Sequence, residues 1–107
     1  MGEERIVRKM LFEDIEGLSN AFIQQGWSGR REILKNYFLE KEAGERQVLV
    51  AVVGRFLAGY ITVIPLANHG PFAGLYPELT DFNVFESFQR QGIGTALIEK
   101  AEQEALK

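Results

Sequence analysis

The sequence predicts one mixed α/β (α+β) domain whose elements run strand, helix, helix, strand, strand, strand, helix. Three observations carry this. "QVLVAVVGRFLAGYITVI" (47–64) is rich in Val and Ile and broken once, at Gly54-Arg55, as an antiparallel hairpin is. Two consecutive segments upstream repeat their apolar residues at helical spacing. A third such segment closes the chain behind a glycine turn. Because the strands gather instead of alternating with helices, an alternating parallel sheet is not expected.

Taken in order, RIVRKML (5–11) mixes branched apolar residues with charges and reads as the first strand. Glu13, Asp14 and Glu16 crowd the start of the next segment, where acids favour the positive end of a helix. Ile15, Leu18, Ala21 and Phe22 give that helix its apolar face, and Gly26 stops it. "WSGRREILKNYFLEKEAG" repeats the pattern with Ile33, Leu34, Tyr37 and Phe38 on one face, Ser28 as the expected N-cap and Gly44 as the C-cap. Glu42, Glu45 and Arg46 read as a solvated connection. Residues 65–77 hold all three prolines and the only histidine, His69; a connection of this length usually flanks a site. "ELTDFNVF" is the fourth strand, and a helix follows from about Gly92 with Ile93, Leu97, Ile98, Ala101 and Ala105 on its apolar side.

Composition narrows the function classes. Of the 107 residues, 46% are hydrophobic and 25% charged, which suits an ordinary globular domain with a real core. A net charge of −3, with a single small basic cluster at Arg30, Arg31 and Lys35, argues against a nucleic-acid partner. The absence of cysteine excludes disulfides, thiolate catalysis and Cys-based metal sites, and no metal is expected. No apolar run is long enough to span a membrane and the N-terminus has no apolar leader core, so the expected location is the cytoplasm.

The chemically suggestive stretch is "QRQGIGT" (89–95). A helix start offers unpaired N–H groups and the positive end of the dipole, so it attracts an anion such as a pyrophosphate; small residues let it approach the backbone. Arg90 adds a charge and Thr95 a hydroxyl. A P-loop would need a lysine after Gly94, and a dinucleotide fingerprint a third glycine where Leu97 stands. A tight turn that merely needs small residues is the plainer alternative.

"FNVFESFQRQGIGTALIEKAE" resembles the coenzyme A-binding motif of the GNAT superfamily of N-acetyltransferases, with Gln89, Gly92 and Gly94 at its defined positions. The resemblance covers essentially the whole chain and implies a GNAT-like acyl-CoA N-acyltransferase fold, acetyl-CoA as donor, and transfer of acetyl to the primary amine of a small molecule or peptide. It further implies that Phe82, Asn83 and Val84 meet the pantetheine arm and that Gln89, Arg90, Gln91, Gly92, Ile93, Gly94 and Thr95 hold the pyrophosphate. Glu78 becomes the first candidate for the general base and Asp81 the second, while Gln25 and Trp27 flank the acceptor.

Two departures accompany the resemblance: the proline common near Glu86 is missing, and the strand, helix and closing strands that normally follow the last helix are absent, so residues 1–107 read as a single domain, either a complete short form or one truncated after that helix. The thiolate-protonating tyrosine of the missing helix has no counterpart; Tyr60 and Tyr76 are the nearest in sequence. The rival reading is therefore a CoA-binding or structural module without chemistry. An exposed fourth-strand edge predicts a homodimer.

Overall fold

The computed structural model describes residues 4–64 and 78–105. The expected connection at 65–77, with His69 and Tyr76, lies outside them. Within the described residues the order is the expected one: β1 (Arg5–Lys9), α1 (Asp14–Gln24), α2 (Arg31–Glu42), β2 (Gln47–Val53), β3 (Phe56–Ile64), β4 (Glu78–Val84), a single 3-10 turn (Glu86–Phe88) and α3 (Ile93–Ala105). The four strands form one antiparallel sheet in the order β1-β2-β3-β4.

Strand alternation sorts the side chains onto two faces. Val48, Val50 and Tyr60 turn to one face, where they pack with Met10, Leu18, Phe22 and Leu34 beneath α1 and α2. Leu49, Ala51, Ile61 and Val63 turn to the other, against Ile93, Leu97 and Ala101 of α3. Both faces being covered explains why β2 reads as a nearly unbroken apolar run.

β1 is shorter than the seven residues the sequence suggests. After Lys9, Met10 still donates to the Val48 carbonyl at 2.9 Å, but Leu11 N–H turns to the Asp14 carboxylate at 2.7 Å. That carboxylate also holds Arg8 at 2.7 Å, fastening the strand end to the helix start. The guanidinium of Arg8 is thereby pushed above its ordinary value, its hydrogen bond to Asp14 outweighing the opposing effect of burial.

α2 corrects the sequence reading in two places. Its N-cap position is Arg30, in the left-handed region with φ 56°, and no side chain caps it; Ser28 is upstream. Its apolar face is thin: Leu34 is buried, Tyr37 and Phe38 are half-buried, and Ile33 is 42% exposed. Arg46, expected in a solvated connection, instead lies under α2. Its side chain is 15% exposed and bonds Glu40 at 2.7 Å, Thr62 Oγ1 at 2.8 Å and Thr80 Oγ1 at 3.1 Å. Polar contacts thus do part of the work that an apolar face would do in docking α2 to the sheet.

Candidate active site at the open edge of strand four

β4 is bordered on one side by β3; among the described residues its other side has no strand. Phe85 N–H bonds the Ala58 carbonyl at 2.8 Å while Val84 stands opposite Gly59. In an antiparallel ladder, bonded and non-bonded pairs alternate. The N–H and C=O of Val84 therefore point away from β3, to the open edge. There Gln89 Nε2 donates to the Val84 carbonyl at 3.1 Å, tying the glycine loop to the strand.

The two glycines of that loop serve different ends. Gly92 has φ 79°, a conformation that strains any other residue except asparagine or aspartate. Gly94 sits where a Cβ would come within 3.0 Å of Phe82 Cζ and 3.7 Å of Val84 Cγ2, so it lets α3 approach β4 closely. Ala96 N–H makes the first helical bond, to the Gly92 carbonyl at 3.0 Å. The N–H groups of Ile93, Gly94 and Thr95 precede it, at the positive end of the helix. Thr95, Arg90 and Gln91 are exposed around this turn, and Ile93 is buried in the core.

Arg5, which the sequence reading did not single out, reaches over from β1 and donates to the Gln91 carbonyl. Its guanidinium would lie 3.4 Å from a Cβ at Gly92. The loop thus has two cationic neighbours, Arg5 and Arg90, the latter at φ 65°. Nothing in local sequence joins residue 5 to residue 91; only the sheet order does.

On the α1/α2 face of the same strand lies a polar cluster. β3 and β4 lose register between Tyr60 and Thr62, so Tyr60 faces Asn83 while Thr62 faces Thr80. The extra residue on β4 falls at Asp81 and Phe82, a β-bulge, and Asp81 has φ 43°. Thr80 and Asp81 consequently face the same side, Thr80 toward Thr62 and Asp81 toward Tyr60. The Asp81 carboxylate accepts from Arg30 at 2.7 Å, Tyr37 at 2.6 Å, Tyr60 at 3.0 Å and Asn83 at 3.1 Å. Burial alone would raise its pKa, but the bonds from Arg30, Tyr37 and Tyr60 win and hold it below the usual carboxylate range. Burial and the neighbouring carboxylate push Tyr37 up to about 12 and raise Tyr60 as well.

The remaining candidates fall around these two features. Gln25 ends α1, and its side-chain oxygen accepts from the Glu86 N–H just beyond β4. It lines a cleft of about 500 Å³ with Gly17, Gln24, Leu57, Phe85 and Glu86. Trp27 is 56% exposed and stacks on Phe22 at 5.7 Å. Phe82 is 44% exposed on the α3 side, and Asn83 belongs to the Asp81 cluster. The register puts Glu78 opposite Ile64, at the far end of β4 from the glycine loop. Phe82, Val84 and the loop 89–95 therefore come together. Asp81 and Asn83 lie on the opposite face, and Glu78 stands apart.

The model of the Acetyltransferase (GNAT) family matches residues 12–107. The chain belongs to that family. Solved GNAT-fold structures agree. The PaiA N-acetyltransferase of Thermoplasma acidophilum, in complex with coenzyme A, superposes with a TM-score of 0.72 at 21% identity, over 95% of this chain and 72% of that one. A GNAT acetyltransferase of Brucella melitensis, in complex with acetyl-CoA, gives 0.68 at 22%, over 96% and 69%. An aminoglycoside 6'-N-acetyltransferase complexed with coenzyme A gives 0.71 at 22%, over 94% and 55%. This GNAT chain thus spans about half to three-quarters of the length of those structures. No curated protein matches the sequence. Among the described residues, no helix is long and apolar enough to cross a membrane.

Proposed function

We propose that the chain binds acetyl-CoA and transfers its acetyl group to a primary amine. The observation that carries this is the meeting of an outward-facing strand backbone at Val84 with the unpaired N–H groups that open α3, in a chain of the GNAT family. Gln89, Arg90, Gln91, Gly92, Ile93, Gly94 and Thr95 form the pyrophosphate cradle, and the strand edge at Val84, flanked by Phe82 and Asn83, receives the amides of the pantetheine arm. When bound, acetyl-CoA supplies the acyl group: the amine nitrogen bonds to the thioester carbonyl carbon, the carbon–sulfur bond breaks, and the sulfur leaves as thiolate.

The amine must first lose a proton. Of the two carboxylates proposed for this, Glu78 is the better base, because the bonds from Arg30, Tyr37 and Tyr60 hold Asp81 ionised and leave it little tendency to accept a proton. Asp81 we assign to holding the strand in shape. Gln25 and Trp27 border the acceptor side, from the end of α1. A homodimer through the β4 edge, which no described strand covers, and a place in the cytoplasm complete the reading.

Isothermal titration of acetyl-CoA into the chain, beside a Gly92→Glu variant, tests the cradle. The native chain binds and the variant does not; a folded native chain that takes up no acetyl-CoA overturns the proposal. Thiol release with a panel of amines then separates enzyme from binding module: uptake of acetyl-CoA without amine-dependent thiol release would favour the module.

A further inference from the structure

Among the described residues, three that are not glycine adopt left-handed backbone: Arg30, Asp81 and Arg90. Such conformations persist only where the surroundings hold them, and they gather at functional sites. Arg90 lies in the glycine loop. The other two, 51 residues apart, grip each other: Arg30 Nη2 meets Asp81 Oδ2 at 2.7 Å, and Arg30 Nη1 donates to Tyr60 at 2.5 Å. The two side chains are 22% and 19% exposed, so water screens the pair only weakly. Tyr37 and Asn83 complete the carboxylate's shell.

Each end of this clasp governs a different part of the site. Arg30 is the residue from which α2 starts, closing the segment that holds Gln25 and Trp27. Asp81 is the bulge residue of β4, and its backbone conformation decides how the next three residues present themselves. With the bulge, Phe82 turns to α3 and Val84 aims its peptide groups at the open edge. Were Asp81 to relax to ordinary strand geometry, the register would slip by one and those residues would exchange faces. The strained conformation needs an anchor outside the strand.

We propose that Arg30 is a positioning residue for the acetyl donor: through its ion pair with Asp81 it locks the β4 bulge, and so fixes the strand edge against which acetyl-CoA is bound while tying that edge to the α1–α2 segment. This rests on the acetyl-CoA reading of the loop and edge. Arg30 lies on the α1/α2 side of the sheet and acts through Asp81; its loss acts on the donor through backbone geometry.

The test is titration of acetyl-CoA into the native chain, Arg30→Met, Arg30→Lys, Tyr37→Phe and a control, Asp14→Asn, with thermal unfolding of each. Asp14→Asn weakens another ion pair of the same 2.7 Å length, at the β1–α1 junction. Arg30→Met is expected to weaken acetyl-CoA binding about tenfold, as misplaced binding groups do. Arg30→Lys recovers part of it, and Tyr37→Phe, which removes one donor to the carboxylate, weakens binding about two- to threefold. Asp14→Asn lowers the unfolding temperature and leaves the affinity unchanged. Native affinity in Arg30→Met overturns the inference, as does an affinity loss in Asp14→Asn equal to that of Arg30→Met. If Arg30→Met does not fold, native affinity in both Arg30→Lys and Tyr37→Phe overturns it. A native chain that binds no acetyl-CoA overturns the cofactor reading first, and is seen before any variant is compared.

Discussion

Asp81 shows how one side chain can bind the stability of a small domain to pH. Its carboxyl is held below the ordinary value of 3.8 because, against the opposing effect of burial, three donors stabilise the ionised form. A depressed folded-state pKa contributes stability that is complete above the unfolded value and lost as pH falls through the folded one. The acid limb of a stability profile should therefore begin below pH 3.8, and Asp81→Asn should flatten it. Tyr37 works with the opposite sign. Burial and the hydrogen bond to Asp81 raise it from 10.0 to about 12, so the folded chain keeps a proton that the unfolded chain releases. Stability should fall as pH rises from 10 toward 12, and Tyr37→Phe should make that slope shallower, leaving the part that Tyr60 contributes. Denaturant unfolding across both ranges reads the two limbs. Native slopes in both variants would mean that the carboxylate cluster does not couple to folding.

The elements were legible in the sequence wherever one face or one period decided them. Val and Ile runs marked β2 and β3, Gly54 with φ 62° marked their turn, and Leu97 and Ala101 marked the buried face of α3. The glycine loop was legible too, because Gly92 and Gly94 stand only two positions apart in the chain. Long-range polar pairing was not. Arg30 and Asp81, or Arg5 and Gln91, are ordinary charged and polar residues until the sheet brings them together, and no local rule pairs them. The start of α2 was misplaced too: Ser28 is the better intrinsic cap, but Arg30, which is ion-paired with Asp81 of β4, holds the N-cap position. Gly59 marks another long-range demand, the close approach of β3 to β4 beside the bulge. A Cβ there would stand 2.4 Å from the Asn83 carbonyl oxygen and 3.1 Å from Val84 Cα, both backbone atoms that cannot rotate away. Gly59→Ala should cost about 2–3 kcal/mol in denaturant unfolding, the scale of overpacking. Because the strands must part at residues 83 and 84, acetyl-CoA affinity should fall with it; a variant with native stability would show that the strands already have room.

At the scale of the molecule, the sheet is covered on both faces, and among the described residues β1 and β4 are its two edges. α1 and α2 close one side, α3 the other, and β1 ends the sheet at its far margin. β4 differs from β1 in what it exposes. Leu79 and Phe82 of this strand are 43% and 44% exposed, and its backbone at Val84 faces outward. β1 carries Arg5, Arg8 and Lys9, the charged residues that discourage pairing at an edge. An apolar, unpaired strand pairs readily with another copy of itself, and an antiparallel pairing of two β4 strands would obey twofold symmetry. The chain should therefore self-associate, with the mass from light scattering rising toward twice that of one chain as concentration increases. Phe82→Lys, which places a charge on that edge, should shift the equilibrium back to monomer. Acetyl-CoA should do the same, since the proposed donor site uses the same edge. A monomeric mass at every concentration would exclude this dimer; a dimer insensitive to both Phe82→Lys and acetyl-CoA would place the contact elsewhere on the surface.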